Sequence, residues 1–329
     1  MSTADGPFQR LLRYFGLTGR RADGTPEARL ARLKRQKTIR RVGWLVALTV
    51  FARVFLLSLN AVEFSVQELI RFFPEFQEAL VGYFPPTTYF GVPFVDVGRY
   101  WAFVTGQDLF GEALITLGMG FAGTVLGAPL ALLFGVLGSE RVVPFPFNFL
   151  FRGTMSVIRA IPALVWALIF IPLGGVSSFT ATLAIGMDTI GNLGRLFTDE
   201  LEEIEDGPIE AIRSTGANGP QTVTFGMLSQ VFRPFIAWIM YILEINTRIA
   251  VGLGIIGAGG LGLTLQIQRG TFAYTNMMAT IFVIVALVIS VEIVSQRTRS
   301  YLRPGETERL SLLELIIGAP RRIVESLAK

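Results

Sequence analysis

The sequence predicts an all-α polytopic membrane protein with six transmembrane helices. Three observations predict it. Of 329 residues, 51% are hydrophobic and only 16% charged, whereas soluble domains carry about a quarter charged residues. Mean hydropathy is +0.54. The apolar residues gather in runs close to the roughly 20 residues that cross a bilayer. Basic residues crowd the two ends, from Arg10 to Arg41 and from Arg297 to Lys329, while only Arg71 and Arg99 fall between Ala61 and Gly111. That bias is the positive-inside pattern, and it places both termini in the cytoplasm.

The chain has no Cys and no His. Disulfides, thiol nucleophiles, thiolate metal sites and imidazole acid–base chemistry are therefore excluded, and no metal site is expected. A basic arm that binds nucleic acid is the alternative explanation of the termini. Bilayer-length runs abut both clusters, which favours membrane topology and no nucleic-acid partner.

Residues 1–41 form a basic arm, and the first span covers 42–60. The arm is far too long for a signal peptide, and no small-x-small site follows the run at once. Arg53 inside the span snorkels or faces protein. Residues 61–110 are too acidic and proline-rich to span: Glu63, Glu68, Glu75, Glu78, Asp96 and Asp108 are interleaved with Pro74, Pro85, Pro86 and Pro93. Their many aromatics suggest short amphipathic helices lying at the outer interface.

The permease-like core runs over 111–298. Its second span, about Ala113–Leu137, has a small side made of Gly118, Gly120, Gly123 and Gly127, suited to close helix packing. The third span is about Phe149–Leu173 and the fourth about Phe179–Phe197, joined by a short Gly/Ser turn. A polar loop, 198–225, follows. The fifth span is about Gly226–Val251, then a Gly-rich stretch to Gly262, and the sixth is about Met277–Val294. With both ends inside, loop 198–225 lies in the cytoplasm. The tail, 299–329, holds Leu310, Leu312, Leu313, Leu315, Ile316 and Ile317, and reads as an interfacial helix.

The polar loop carries the functional signal. It reads Glu210-Ala211-Ile212-Arg213-Ser214-Thr215-Gly216, then nine residues beginning with Ala217, then Gly226-Met227-Leu228-Ser229. Pro208 suits the first turn of a helix, where its missing N–H costs nothing. Glu210 suits the positive helix start, and Gly216 permits the left-handed residue that ends it. The product is a short knob able to dock in a partner's groove and pass on a rigid-body push. An ordinary cytoplasmic loop is the plain alternative.

This loop resembles the signature of ABC-importer permeases: Glu-Ala-Ala, three residues, Gly, nine residues, Ile-x-Leu-Pro. It departs at Ile212, Gly226 and Ser229. The segments Arg159–Phe170, Gly194–Phe197, Glu202–Ile204, Glu244–Arg248 and Leu253–Gly262 extend the resemblance to phosphonate permeases, over about Ala113–Leu302. The resemblance implies a type I ABC importer permease fold in a bacterial-type inner membrane. It implies a second copy of the permease, two ATPase subunits and a periplasmic binding protein as partners. The chain lacks a Gly-x-x-x-x-Gly-Lys-Ser/Thr phosphate loop, so ATP and Mg are expected on the ATPase, with no cofactor and no catalysis on this chain. Phosphonate, phosphate or phosphite is the expected solute class. A permease for methionine or a quaternary amine is the alternative, then a stand-alone channel or secondary transporter, and last an intramembrane enzyme using Asp188 and Glu244.

Ionisable groups inside spans face a pathway or a partner. Candidates for the passage are Arg248, Arg159, Glu244, Asn246, Asp188 and Asn192. Two explanations stay open for them: a polar path whose Arg residues favour an oxyanion, or self-neutralising pairs, Glu244–Arg248 and Asp188–Arg195, that hold helices together. Gly257, Gly259 and Gly260 are gate candidates, with tight helix crossing as their alternative.

Overall fold

The computed structural model describes residues 26–302. The first 25 residues of the basic arm and the interfacial helix expected after Arg303 lie outside the described residues. The chain divides into two units, residues 1–74 and 75–329.

In the first unit α1 runs Pro26–Ala61. Its stretch Arg35–Ala61, with mean hydropathy 2.1 over its most apolar window, is long and apolar enough to cross a membrane. The Thr49 and Ser58 hydroxyls donate to the carbonyls of Leu45 and Val54, so neither adds an unsatisfied polar group to the span. A short helix α2, Val66–Arg71, follows. Its cap Ser65 accepts the N–H of Glu68.

The second unit opens with the end of α3, Phe73–Tyr83. An antiparallel hairpin comes next, β1 Pro86–Tyr89 and β2 Val92–Val95. Its register runs from Pro86↔Val95 to Tyr89↔Val92. This corrects the all-helical expectation for 61–110. Phe90 and Gly91 turn the chain with φ of 52° and 83°, the two left-handed residues that a two-residue hairpin demands. Prolines and acidic residues masked the strand-forming Thr87, Thr88, Val92 and Val95. Helix α4, Val97–Gly106, is N-capped by Asp96. Its Tyr100 is buried, and the phenol donates to the carbonyl of Tyr83. Burial, then the nearby Asp96 carboxylate, push that phenol above its usual range, so the donor keeps its proton.

The core is built on α5, Leu109–Gly138, against α8, Ser178–Glu202. Glycines set this contact. A Cβ on Gly127 would lie 2.6 Å from the Gly186 carbonyl oxygen, and one on Gly135 would lie 2.8 Å from Cβ of Phe197. The small side of α5 is shared, because Gly120 faces the backbone of Thr247 instead.

Between them lie α6, Phe147–Ala160, and α7, Ala163–Gly174, bent by 90°. The third span expected over Phe149–Leu173 is interrupted by this bend. Pro162 supplies no N–H and holds Ile161 extended, at φ −95° and ψ 115°.

Helix α9 covers Asp206–Ser214. The long element α10 covers Gly219–Ala258 and contains two π-helical stretches, Thr222–Leu228 and Gly254–Ala258. Helices α11, Gly260–Gly270, and α12, Tyr274–Leu302, complete the fold.

Among the described residues four helices are long and apolar enough to span, or five if the bent α6–α7 pair is one span. The expected count of six is not matched, because α8 fails on composition. It carries Asp188, Arg195 and Asp199. Protein surrounds it on much of its surface, with Ala184, Ile185, Leu193 and Leu201 fully buried. A helix clad by protein has less need of lipid-compatible side chains.

Candidate functional site

At one end of the core, α9 has two unlike faces. Ile209 is buried in a cluster with Leu201 and Ile204, and with Met227 and Val231 of α10. Glu210, Ala211, Arg213 and Ser214 are exposed. Glu210 and Arg213 make no side-chain ion pair or hydrogen bond among the described residues. The helix stops at Gly216, at φ 83°, whose N–H donates to the Arg213 carbonyl at 3.0 Å. Ala217 is half-buried. Asn218 and Gln221 then cap the next helix reciprocally, each side chain accepting the other's backbone N–H at 3.0 Å. The sequence reading missed this second cap, although Asn-Gly-Pro-Gln carries its signal.

Two departures from the permease signature meet in space. The position of Gly226 is buried, and a Cβ there would lie 3.5 Å from Cδ1 of Ile212. The signature places a large residue where Gly226 stands and a small one where Ile212 stands. Exchanging the two sizes conserves the packed volume between α9 and α10, the kind of swap cores tolerate best. Leu228 packs half-buried against the same cluster. Ser229, in place of proline, leaves the helix unbroken and donates to the Phe225 carbonyl.

The passage candidates separate into groups. Arg248 Nη2 lies 2.8 Å from Oε1 of buried Glu244, Arg299 lies 3.2 Å from its other oxygen, and Glu292 lies 3.5 Å from Arg248. Two guanidiniums and two carboxylates thereby close on one another and join α10 to α12. Asn246 is fully buried and donates to the hydroxyls of Thr124 and Thr189, each at 2.8 Å, knitting α5, α8 and α10 together.

The pair Asp188–Arg195 is not formed. Arg195 pairs with Asp199 at 3.0 Å, and Asn192 donates to the Asp188 carboxylate at 2.9 Å. The reason is reach: Asp199 is one helical turn away and Asp188 two, roughly 10 Å along the axis. Arg159 stands apart. It is exposed at the end of α6, beside the 90° bend, and makes no side-chain ion pair or hydrogen bond among the described residues.

The gate candidates form a sharp break. Gly257, Gly259 and Gly260 have φ of 109°, 106° and 68°. Ser178 donates to the Ala258 carbonyl at 2.7 Å, and the Leu261 N–H donates to Thr116 at 2.9 Å. Among the described residues no group of three or more acidic side chains is placed to hold a metal ion.

Residues 123–306 match the family model described as binding-protein-dependent transport system inner membrane component. The chain belongs to this family. It is therefore a multi-pass inner-membrane component of such a transport system. The chain is 33% identical over 198 residues to the phosphate-import permease protein PhnE of Mycolicibacterium smegmatis, covering 60% of this chain and 37% of that one. It thus spans little more than a third of that relative's length. It is 29% identical over 189 residues to the phosphite transport system permease protein PtxC of Stutzerimonas stutzeri, covering 57% of this chain and 69% of that one. Among solved structures, a chain of an amino acid ABC transporter superposes with TM-score 0.52 at 16% identity, covering 61% of this chain and 98% of that one. A chain of the MetNI methionine ABC transporter superposes with TM-score 0.51 at 23% identity, covering 63% and 99%. The fold is that of an ABC importer permease.

Proposed function

We propose that this chain is the permease subunit of an ATP-driven importer for phosphonate or a related phosphorus oxyanion. Two copies form the passage, two ATPase subunits hold ATP and Mg and dock on the α9 knobs, and a periplasmic binding protein delivers the solute. Both termini lie in the cytoplasm. The observation that carries this reading is the knob: a helix rooted by buried Ile209, with Glu210 and Arg213 turned outward and a glycine stop at Gly216. A rigid lever of this kind suits capture of a motor stroke.

The phosphorus class is supported by the relatives named as phosphate and phosphite permeases. Arg159 at the bend, without an ion pair among the described residues, suits an anion. Arg248 contributes less than its sequence position suggests, because two carboxylates face it. A permease for methionine or another amino acid is the second reading, favoured only by the shared fold.

The test is reconstitution with its ATPase and binding-protein partners, followed by uptake of phosphonate, phosphate, phosphite and methionine. ATP-dependent uptake of a phosphorus anion is expected. Uptake of methionine alone would overturn the solute class. Uptake without the ATPase would overturn the importer reading.

A further inference from the structure

Where α9 meets the membrane domain, charged groups from four neighbouring segments form two adjacent sets of contacts, Arg152–Glu202–Glu140 and Arg141–Asp206. Arg152, on α6, donates Nε–H to the carbonyl of Gly138, the last residue of α5, at 2.7 Å. Its Nη2 pairs with Oε1 of Glu202, the last residue of α8. The same Glu202 oxygen accepts the backbone N–H of Glu140 at 3.2 Å, and the Glu140 carboxylate lies 3.9 Å from Arg152. Beside it Arg141, in the α5–α6 loop, pairs at 2.7 Å with Asp206, the first residue of α9.

Arg152 therefore donates from two nitrogens of its planar fork, Nε and Nη2, to two different segments, a fixed geometry that lysine lacks. Its side chain is about one-fifth exposed, and that of Glu202 about one-third. Asp206 is exposed, so its pair with Arg141 alone counts for little. Arg152 is the member shared by three segments.

From this geometry we infer that Arg152 and Glu202 are positioning residues that lock the α8 end of the α8–α9 link to α6, so that a push on the α9 knob is passed through that link to the 90° bend. Glu202 and Asp206 bracket the link between α8 and α9, and each is tied to the α5–α6 hairpin. Helix α6 then runs from Arg152 to Arg159 at the bend, two turns and roughly 10 Å of rigid helix. Apolar contacts seat α6 closely on α8: a Cβ on Gly194 would lie 2.6 Å from Sδ of Met155, and one on Gly191 would lie 2.9 Å from the Arg159 nitrogen, so the two helices fit only because both positions lack a side chain. Without the lock, α9 stays rooted through Ile209 against Leu201, Ile204 and α10, but the α8–α9 link loses its tie to α6.

This inference rests on the importer reading, and the test separates the two. The complete complex is reconstituted with its ATPase and binding protein, and solute moved per ATP hydrolysed is measured beside membrane level and ATPase rate. For Arg152→Ala we expect that ratio to fall tenfold or more, with assembly and ATP hydrolysis within twofold of the parent. Arg152→Lys and Glu202→Gln, which keep size, should fall by intermediate factors. Arg152→Glu should be worse than Arg152→Ala, and adding Glu202→Arg should recover at least threefold over Arg152→Glu. If Arg152→Ala fails to insert, the lysine and glutamine variants decide. Ratios within twofold of the parent in those variants would overturn the lock, as would a charge-swapped pair no better than Arg152→Glu. A parent complex with no ATP-dependent uptake would instead overturn the importer reading.

Discussion

Two regions of the molecule end a helix on left-handed glycine, and they do so in opposite surroundings. At the α9 knob, a Cβ on Gly216 would meet nothing within 4 Å. At the α10–α11 break, a Cβ on Gly254 would lie 2.6 Å from the Gly259 carbonyl oxygen, and one on Gly262 would run into the Val251 carbonyl. Gly216 is needed only for its backbone angle, whereas Gly254 and Gly262, which are helical, are needed for space beside the left-handed Gly257, Gly259 and Gly260. The knob is a projecting part whose shape matters to something else. The break is an internal joint whose closeness matters to the fold itself.

That contrast can be broken most severely at the joint. Gly262→Val forces side-chain atoms into backbone and should cost about 3 kcal/mol, seen as a large drop in thermal stability in detergent. Glu244→Gln should cost somewhat less. It weakens the bonds that part-exposed Arg248 and Arg299 make to buried Glu244, a loss of about 2 kcal/mol for charged hydrogen bonds of this kind. The readout is the same melting curve, with the double variant carrying Arg248→Gln less destabilised than the sum.

The knob's root comes next. Ile209→Ala should cost about 2 kcal/mol, concentrated locally, with faster amide exchange over 206–216 than over α5. The smallest effect on stability belongs to Gly216→Ala, about 1 kcal/mol from the left-handed angle. Its effect on uptake should be large, because the direction of the knob changes while the fold does not. Equal loss of stability in Gly216→Ala and Gly262→Val would erase the distinction between the two regions.

Much of this was legible in the sequence, for local reasons. The long apolar runs marked α1, α5, α10 and α12, and Glu210 to Gly216 marked the knob. Residues that act within a turn of one another speak through spacing alone. What was hidden depends on distance in the chain. Arg152 and Glu202 are fifty residues apart, and nothing in either neighbourhood announces the other. The size exchange between Ile212 and Gly226 looked like two lapses from a pattern until the two positions were seen in contact. The hairpin at Pro86–Val95 was hidden by prolines that sit at its first strand position and its solvent-facing edge. The bend at Pro162 was in plain view, since proline between apolar runs demotes a straight span. Arg195 misled because two partners shared its helix and only the nearer one was within reach.

The absence of cysteine makes the central claim directly accessible. Glu210→Cys introduces a single thiol on the exposed face of the knob in a chain that otherwise has none. In the complex with its ATPase, a short bifunctional reagent should join that thiol to the ATPase subunit. An impermeant thiol label added outside intact cells should leave it untouched. A thiol that reacts from the outside, or that joins no ATPase subunit in an actively transporting complex, would contradict the assignment of α9 as the coupling knob.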